Sequence, residues 1–275
     1  MPLFRTLWQK LVHRRPKTDA TVASLLLRSP RLLDAGTLFA AHSEWWPQEE
    51  RPSSIDFGEG GAIYGEGAAT FQASAAKGFL CVGNFPIPDL ILTSDDDHDW
   101  PPKTADLIRQ HSAHVVVGLA SNSLSPLERA VCLTRWVASV AEACDALAVN
   151  WGDAGAVMPR EQFCQLAREM NGDFLPVLLW VRFGIEREAD GSASLATAGM
   201  REFGHWEIEV NRARVDDSKL LGYAAGLSSL LLTEGPIPDG HTVGFSDDDR
   251  VRVRHTQGSD GSGPAYLLDF GSHTQ

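Results

Sequence analysis

Residues 114–151 read HVVVGLASNSLSPLERAVCLTRWVASVAEACDALAVNW, and this stretch decides the fold class. Positions 114–119 are a short β-branched apolar run of strand length. Ser125–Pro126 opens a long helix that carries Leu127, Ala130, Val131, Trp136, Val137, Val140 and Ala141 on or near one face. Positions 146–151 (ALAVNW) return to strand character. A strand, a long helix and a second strand therefore mark an α/β-type chain rather than an all-helical or all-strand one.

Working upstream, 21–27 (TVASLLL) reads as a strand, and Ser29–Pro30 supplies an N-cap and a first-turn proline for a helix through Leu32, Leu33, Leu38 and Phe39 to about Trp46. A brief alternation at 54–57 runs into a glycine-rich loop, short strands follow at 70–75 and 78–87, and a helix spans 104–111. With 114–119 the order is β-α-β-β-α-β. Downstream the order recurs: strand 146–151, helix 159–170, a long apolar strand 175–185, a turn at 189–191, an alternating strand 205–210, helix 218–232 and strand 241–246. Positions 250–255 and 265–270 add edge strands. The expectation is an α+β protein of tandem ferredoxin-like units with antiparallel sheets, joined by a long helix. Its boundaries are a basic segment 1–17, a first unit 18–122, a linking helix 123–144 and a second unit 145–275.

Across 275 residues the hydrophobic share is 43%, enough for a sizeable core, and the net charge is −12. Such an acid excess argues against general nucleic-acid binding, which needs Lys and Arg to displace counterions from phosphate. It favours a basic protein partner, steered at long range. The exception is 1–17, where Arg5, Lys10, Arg14, Arg15 and Lys17 stand without an acid. There Phe4, Leu7, Trp8, Leu11 and Val12 recur at helical spacing, as in an amphipathic helix that docks on the body, on a partner or on an anionic membrane surface. The segment is no signal peptide, because Arg5, Gln9 and Lys10 break its apolar run. No stretch reaches the roughly 20 apolar residues of a membrane span. Cys81, Cys132, Cys144 and Cys164 form no CxxC pair, which fits a reducing compartment and implies neither disulfides nor zinc.

Candidate chemistry is sparse. Asp95, Asp97, Asp99 and Asp106 have calcium-loop spacing, but Trp100 stands where that loop needs glycine and Pro101–Pro102 follows, so a solvated acidic loop is expected. The glycine-rich stretch 58–67 lacks the Gly-Lys-Ser/Thr ending of a phosphate loop. His111 and His114 read as surface histidines. His205, Glu207 and Glu209 alternate with Trp206, Ile208 and Val210, so period two puts three titratable groups on one strand face. That face is an acid/base site, a metal face, or simply an exposed sheet or interface surface. Trp151 and Asp153 are the companion candidates. No GxSxG, HExxH or Cys/His nucleophile pattern occurs, and no metal or cofactor is expected.

The strings 175–181 (LPVLLWV), 194–204 (SLATAGMREFG), 206–210 (WEIEV) and 239–246 (DGHTVGFS) resemble a bacterial family of unknown function, number 4261 among such domains. The 114–117 run, the helix 126–141 and 145–151 (DALAVNW) are similar to its longer members. The resemblance extends over roughly 20–270 and is densest at 145–246. Met200 departs from the leucine of the pattern, as does the basic N-terminal segment. The resemblance implies a bacterial cytoplasmic protein rather than one with an organellar transit peptide, and it supplies no catalytic residue.

The leading functional expectation is a non-catalytic binding protein, an immunity or inhibitor protein for a basic toxin or effector. Trp151, Asp153, His205, Glu207 and Glu209 would form its interface. Two alternatives stand beside it: a small-molecule or hydrolytic enzyme on the Glu/His face, and a membrane-peripheral or structural component anchored through Phe4, Leu7, Trp8 and Leu11.

Overall fold

The structure, a computed structural model, describes residues 20–47, 55–56, 62–64, 66–73, 75–87, 104–152, 154–246, 249–259, 261 and 263–271. The N-terminal segment with Phe4, Leu7, Trp8 and Leu11, the acidic loop 95–99, and Asp153 lie outside the described residues. The chain divides into two compact units between Trp180 and Val181.

The first unit is built on a seven-stranded sheet of β1 (Ala20–Leu27), β3 (Ile55–Asp56), β5 (Gly67–Ala73), β6 (Ala76–Gly83), β7 (Ala113–Ala120), β8 (Ala148–Trp151) and β9 (Ala156–Pro159), in the order β3-β5-β6-β7-β1-β8-β9. Every pairing in it is antiparallel. β2 (Leu32–Asp34) and β4 (Ala62–Tyr64) form a separate two-stranded ribbon. Since β7 and β8 both run against β1, they are parallel to each other, and a parallel return needs a crossover. That crossover is α3 (Pro126–Ala143). It begins with a capping box: Glu128 N–H donates to Ser125 Oγ (3.2 Å), and Ser125 N–H donates to Glu128 Oε2 (2.7 Å).

α3 is a core helix, not a linker. Leu133, Trp136, Val137, Val140 and Ala141 are buried against β1, β7 and β8, and α1 (Ala35–Trp45) and α4 (Arg160–Glu169) flank it. Trp136 lies between His42 of α1, stacked at 4.2 Å, and Phe71 of β5, also at 4.2 Å. On the opposite sheet face Leu26, Ala148 and Val157 pack with Ile87 and with Leu107 and Ile108 of α2 (Thr104–Gln110).

The second unit holds a six-stranded sheet of β10 (Arg182–Arg187), β11 (Ala193–Ala198), β12 (Glu207–Ala213), β13 (Thr242–Ser246), β14 (Asp249–Gln257) and β15 (Pro264–Asp269). Its order is β10-β11-β12-β15-β14-β13, with only β12–β15 parallel. α6 (Asp217–Glu234) makes the β12–β13 connection and buries Leu220, Ala224, Leu227 and Leu231.

Mixed α/β structure on antiparallel sheets is thus what the sequence indicates. The strand orders, however, are not those of paired β-α-β-β-α-β units, because one order of elements along a chain is compatible with several pairings. β8, β9 and α4 complete the first sheet, which moves the unit boundary from 144/145 to 180/181. β14 and β15 are both interior rather than edges, and β13 takes the edge position. The run 175–185 is not one strand: Val177–Trp180 is a helical turn, α5, whose Trp180 indole donates to Thr134 Oγ1 (2.8 Å), and the strand starts only at Arg182. A short apolar run does not distinguish a buried helical turn from a buried strand. α1 begins after Asp34, which accepts from Thr37 N–H (3.0 Å), so Ser29 is not its cap.

Candidate functional site

The two carboxylates singled out from the alternating strand are interior. Glu207 is 4% exposed and Glu209 2%. The Glu207 carboxylate accepts the Thr197 hydroxyl (2.7 Å) and the N–H groups of Gly199 (3.1 Å), Met200 (3.3 Å) and Arg201 (3.3 Å). It therefore fastens the 3-10 turn Met200–Phe203 onto β12. Burial pushes its pKa up, while the Thr197 hydroxyl and the turn N–H groups pull it down; burial prevails. Glu209 accepts the Ser259 N–H (3.0 Å) and hydroxyl (3.2 Å), tying the β14–β15 loop to the same strand. Both carboxylates are spent on loop backbone. They do not form the exposed acidic face that period two suggested.

His205 is half-buried with its Nδ1 unpaired, and burial lowers its pKa. Trp206 packs edge-on to His255 at 4.9 Å and against Tyr266 at 5.0 Å. Trp151 is fully buried against Phe163, so it cannot anchor a partner at a surface. His111 is no surface histidine either: Nε2 accepts the Ile87 N–H (2.8 Å) and Nδ1 donates to the Ile108 carbonyl. Burial pushes the thiols of Cys144 and Cys164 up to about 12, far from thiolate reactivity. Among the described residues no group of His, Cys, Asp and Glu is arranged to hold a metal ion, and no helix is long and apolar enough to cross a membrane.

An open feature lies elsewhere in the second unit. A groove of about 630 Å³ runs between α6 and the β13–β14 hairpin, lined by Gly222, Gly226, Leu227, Leu230, Val243 and Arg250 among others. Its α6 wall is low because Gly222 and Gly226 stand one turn apart. Mid-helix glycine costs about 1 kcal/mol relative to alanine. At Gly226 no steric demand explains that cost, because an added Cβ would meet nothing within 4 Å. Leu230, 37% exposed, continues the wall. One end is fixed by Asp249, whose carbonyl accepts the Tyr223 hydroxyl (2.6 Å) and whose carboxylate pairs with Lys219 (2.8 Å). Burial, with Asp249 adding to it, pushes the Tyr223 phenol up to about 12.

The opposite wall is β13, an edge strand whose outward backbone groups have no partner strand among the described residues. Gly240 N–H donates to the Val253 carbonyl (2.8 Å), and Val253 N–H donates to the His241 carbonyl (2.7 Å). The two-residue alternation of an antiparallel ladder then directs Val251 toward its partner Val243. Thr242 and Gly244 consequently aim their N–H and C=O outward. At Gly244 a Cβ would lie 2.0 Å from the Asp249 carbonyl oxygen, so the hairpin closes there only with glycine. A second cavity, lined by Arg28, Arg31 and Arg160, is less open to ligands because Asp145 already pairs with Arg31 (3.3 Å) and Arg160 (2.6 Å).

The family model of the Domain of unknown function (DUF4261) matches residues 196–270. The match contains α6, β12 to β15 and every residue lining the groove. No curated protein and no solved structure matches the chain. The sequence reading passed over the groove, although Gly222 and Gly226, four apart inside an otherwise apolar helix, were its available signal.

Proposed function

We propose that this chain is a non-catalytic binding protein that takes an extended segment of another polypeptide onto β13. The segment would continue the six-stranded sheet, and its alternate side chains would enter the groove beside α6. The observation that carries this reading is Gly226: a destabilising residue at mid-helix, with open space beside it, facing an edge strand whose outer side has no partner strand among the described residues. Main-chain pairing supplies affinity and the groove supplies selectivity. Holding a segment of an effector in this way is the action of an immunity or inhibitor protein, and that is the biological role we assign.

The test is selection of a random peptide display library on the full chain, followed by hydrogen exchange with a selected peptide. Enriched peptides should slow exchange at Thr242 and Gly244 and fail to bind Thr242→Pro, which removes one outward N–H without touching the ladder. Enriched peptides that bind Thr242→Pro as well as wild type would refute the site.

A further inference from the structure

We infer that the segment received on β13 is acidic at alternate positions, with apolar residues between them; this rests on the edge-strand reading above. β14 is the strand behind β13, and its side chains alternate from Arg250 to Arg254, beyond which His255 is exposed as well. Val251 and Val253 are buried, while Arg250, Arg252 and Arg254 are exposed on the other face. Arg254 is engaged with Asp269 (2.7 Å). Arg252 makes no side-chain ion pair among the described residues, and it sits opposite Thr242 in register.

β13 places only small side chains on that arginine face. Thr242 stands opposite Arg252 and Gly244 opposite Arg250. Adjacent strands lie about 4.8 Å apart, so a guest strand on β13 would run roughly 10 Å from β14. An arginine leaning over Thr242 spans that gap, whereas a large residue on β13 would block it. The groove is lined from both faces of the hairpin, by Thr242, Gly244 and Arg250 as well as by Val243 and the α6 residues Gly222, Gly226, Leu227 and Leu230, so guest side chains over Thr242 meet the Arg252 guanidinium and those on the Val243 face meet the α6 wall. In sequence, Asp247 and Asp248 follow β13, so the acidic positions of the guest belong toward the Arg252 end of the strand. Paired charges of this kind select the partner and its register more than they add raw affinity.

Two fluorescein-labelled peptides decide the matter, one alternating valine with glutamate and one alternating valine with lysine, measured by anisotropy with the full chain. The glutamate peptide should bind about ten-fold tighter at low ionic strength, and added salt should narrow that margin. Arg252→Glu, an exposed change that leaves the melting temperature in place, should reverse the preference, and Thr242→Pro should abolish binding of both peptides. Equal binding of the two peptides, or a preference that survives Arg252→Glu, overturns the acidic assignment. If such binding is still lost in Thr242→Pro, the edge-strand reading stands without it. Binding that persists in Thr242→Pro, or no binding of either peptide, overturns both.

Discussion

Gly226→Ala should stabilise the second unit, and the same substitution at Gly78 should destabilise the first. Gly226 lies in the middle of α6, where alanine is favoured over glycine by about 1 kcal/mol. Nothing offsets that gain, since the new methyl would contact no atom within 4 Å. In a chain of this size about 1 kcal/mol raises the melting temperature by about 2–4 °C. Gly78 sits opposite Phe71 in the β5–β6 ladder, and its missing side chain leaves the space that the ring fills: an added Cβ would lie 2.1 Å from Phe71 Cζ. The ring would have to move away from Trp136, 4.2 Å distant, at a cost of about 1–3 kcal/mol. Thermal melts followed by circular dichroism, with hydrogen exchange of the α6 and β6 amides to assign each change to its unit, give both signs. Gly226→Leu extends the argument, because it should keep the fold and fill the groove, costing peptide binding but not stability. A destabilised Gly226→Ala would mean that the space beside α6 is not open. A Gly226→Leu that folds and still binds peptide would refute the role given to the glycine.

Further outcomes follow from the buried polar groups. Glu207→Ala should cost about 3–5 kcal/mol in urea unfolding, because it strands the N–H groups of Gly199, Met200 and Arg201, and a loss below about 1 kcal/mol would show that the turn does not depend on this carboxylate. His42 is buried beside Ser139 and Trp136, and burial, with Arg135 adding repulsion, lowers its pKa to about 4 from 6.5. A depressed folded value stabilises above the unfolded pKa, so the first unit should hold its stability above pH 6.5 and lose roughly 3 kcal/mol as pH falls through 4. His42→Phe should flatten that part of the pH profile; an unchanged profile would place the titration elsewhere. Ser125→Ala should remove the α3 capping box and cost about 1 kcal/mol, read from the same unfolding curves.

The local structure of this chain was legible where a side chain acts on its own backbone. Ser125 and Pro126 announce α3, and positions 250–255 announce β14, because caps and pleats are short-range physics. Pairing was not legible. β1 could have closed the sheet of its own half, but it pairs on both sides, with β7 and with β8. β11, with its small alanine, serine and threonine side chains, offers no periodic signal, yet all of it is buried. The alternation of 205–210 marks a strand, which starts at Glu207, but not a wet face. What turns Glu207 and Glu209 inward is the set of donors on Gly199, Met200, Arg201 and Ser259, brought there by two loops. Period two tells which residues share a face and nothing about what covers it.

Charge shows the same separation of scales. A net charge of −12 describes the field that an approaching partner meets at long range, and on that ground a basic partner is favoured. At physiological salt the field of exposed charges decays over about 8 Å. The exposed side chains on β14 include Arg250, Arg252 and Arg254, so the segment proposed to dock on β13 would be selected by local guanidinium groups of opposite sign to the whole. On that proposal an acidic body bearing a basic edge would admit an acidic segment only where its backbone can also pair with Thr242 and Gly244. Elsewhere on the surface the same segment would be repelled, which would confine it to one strand of the fold.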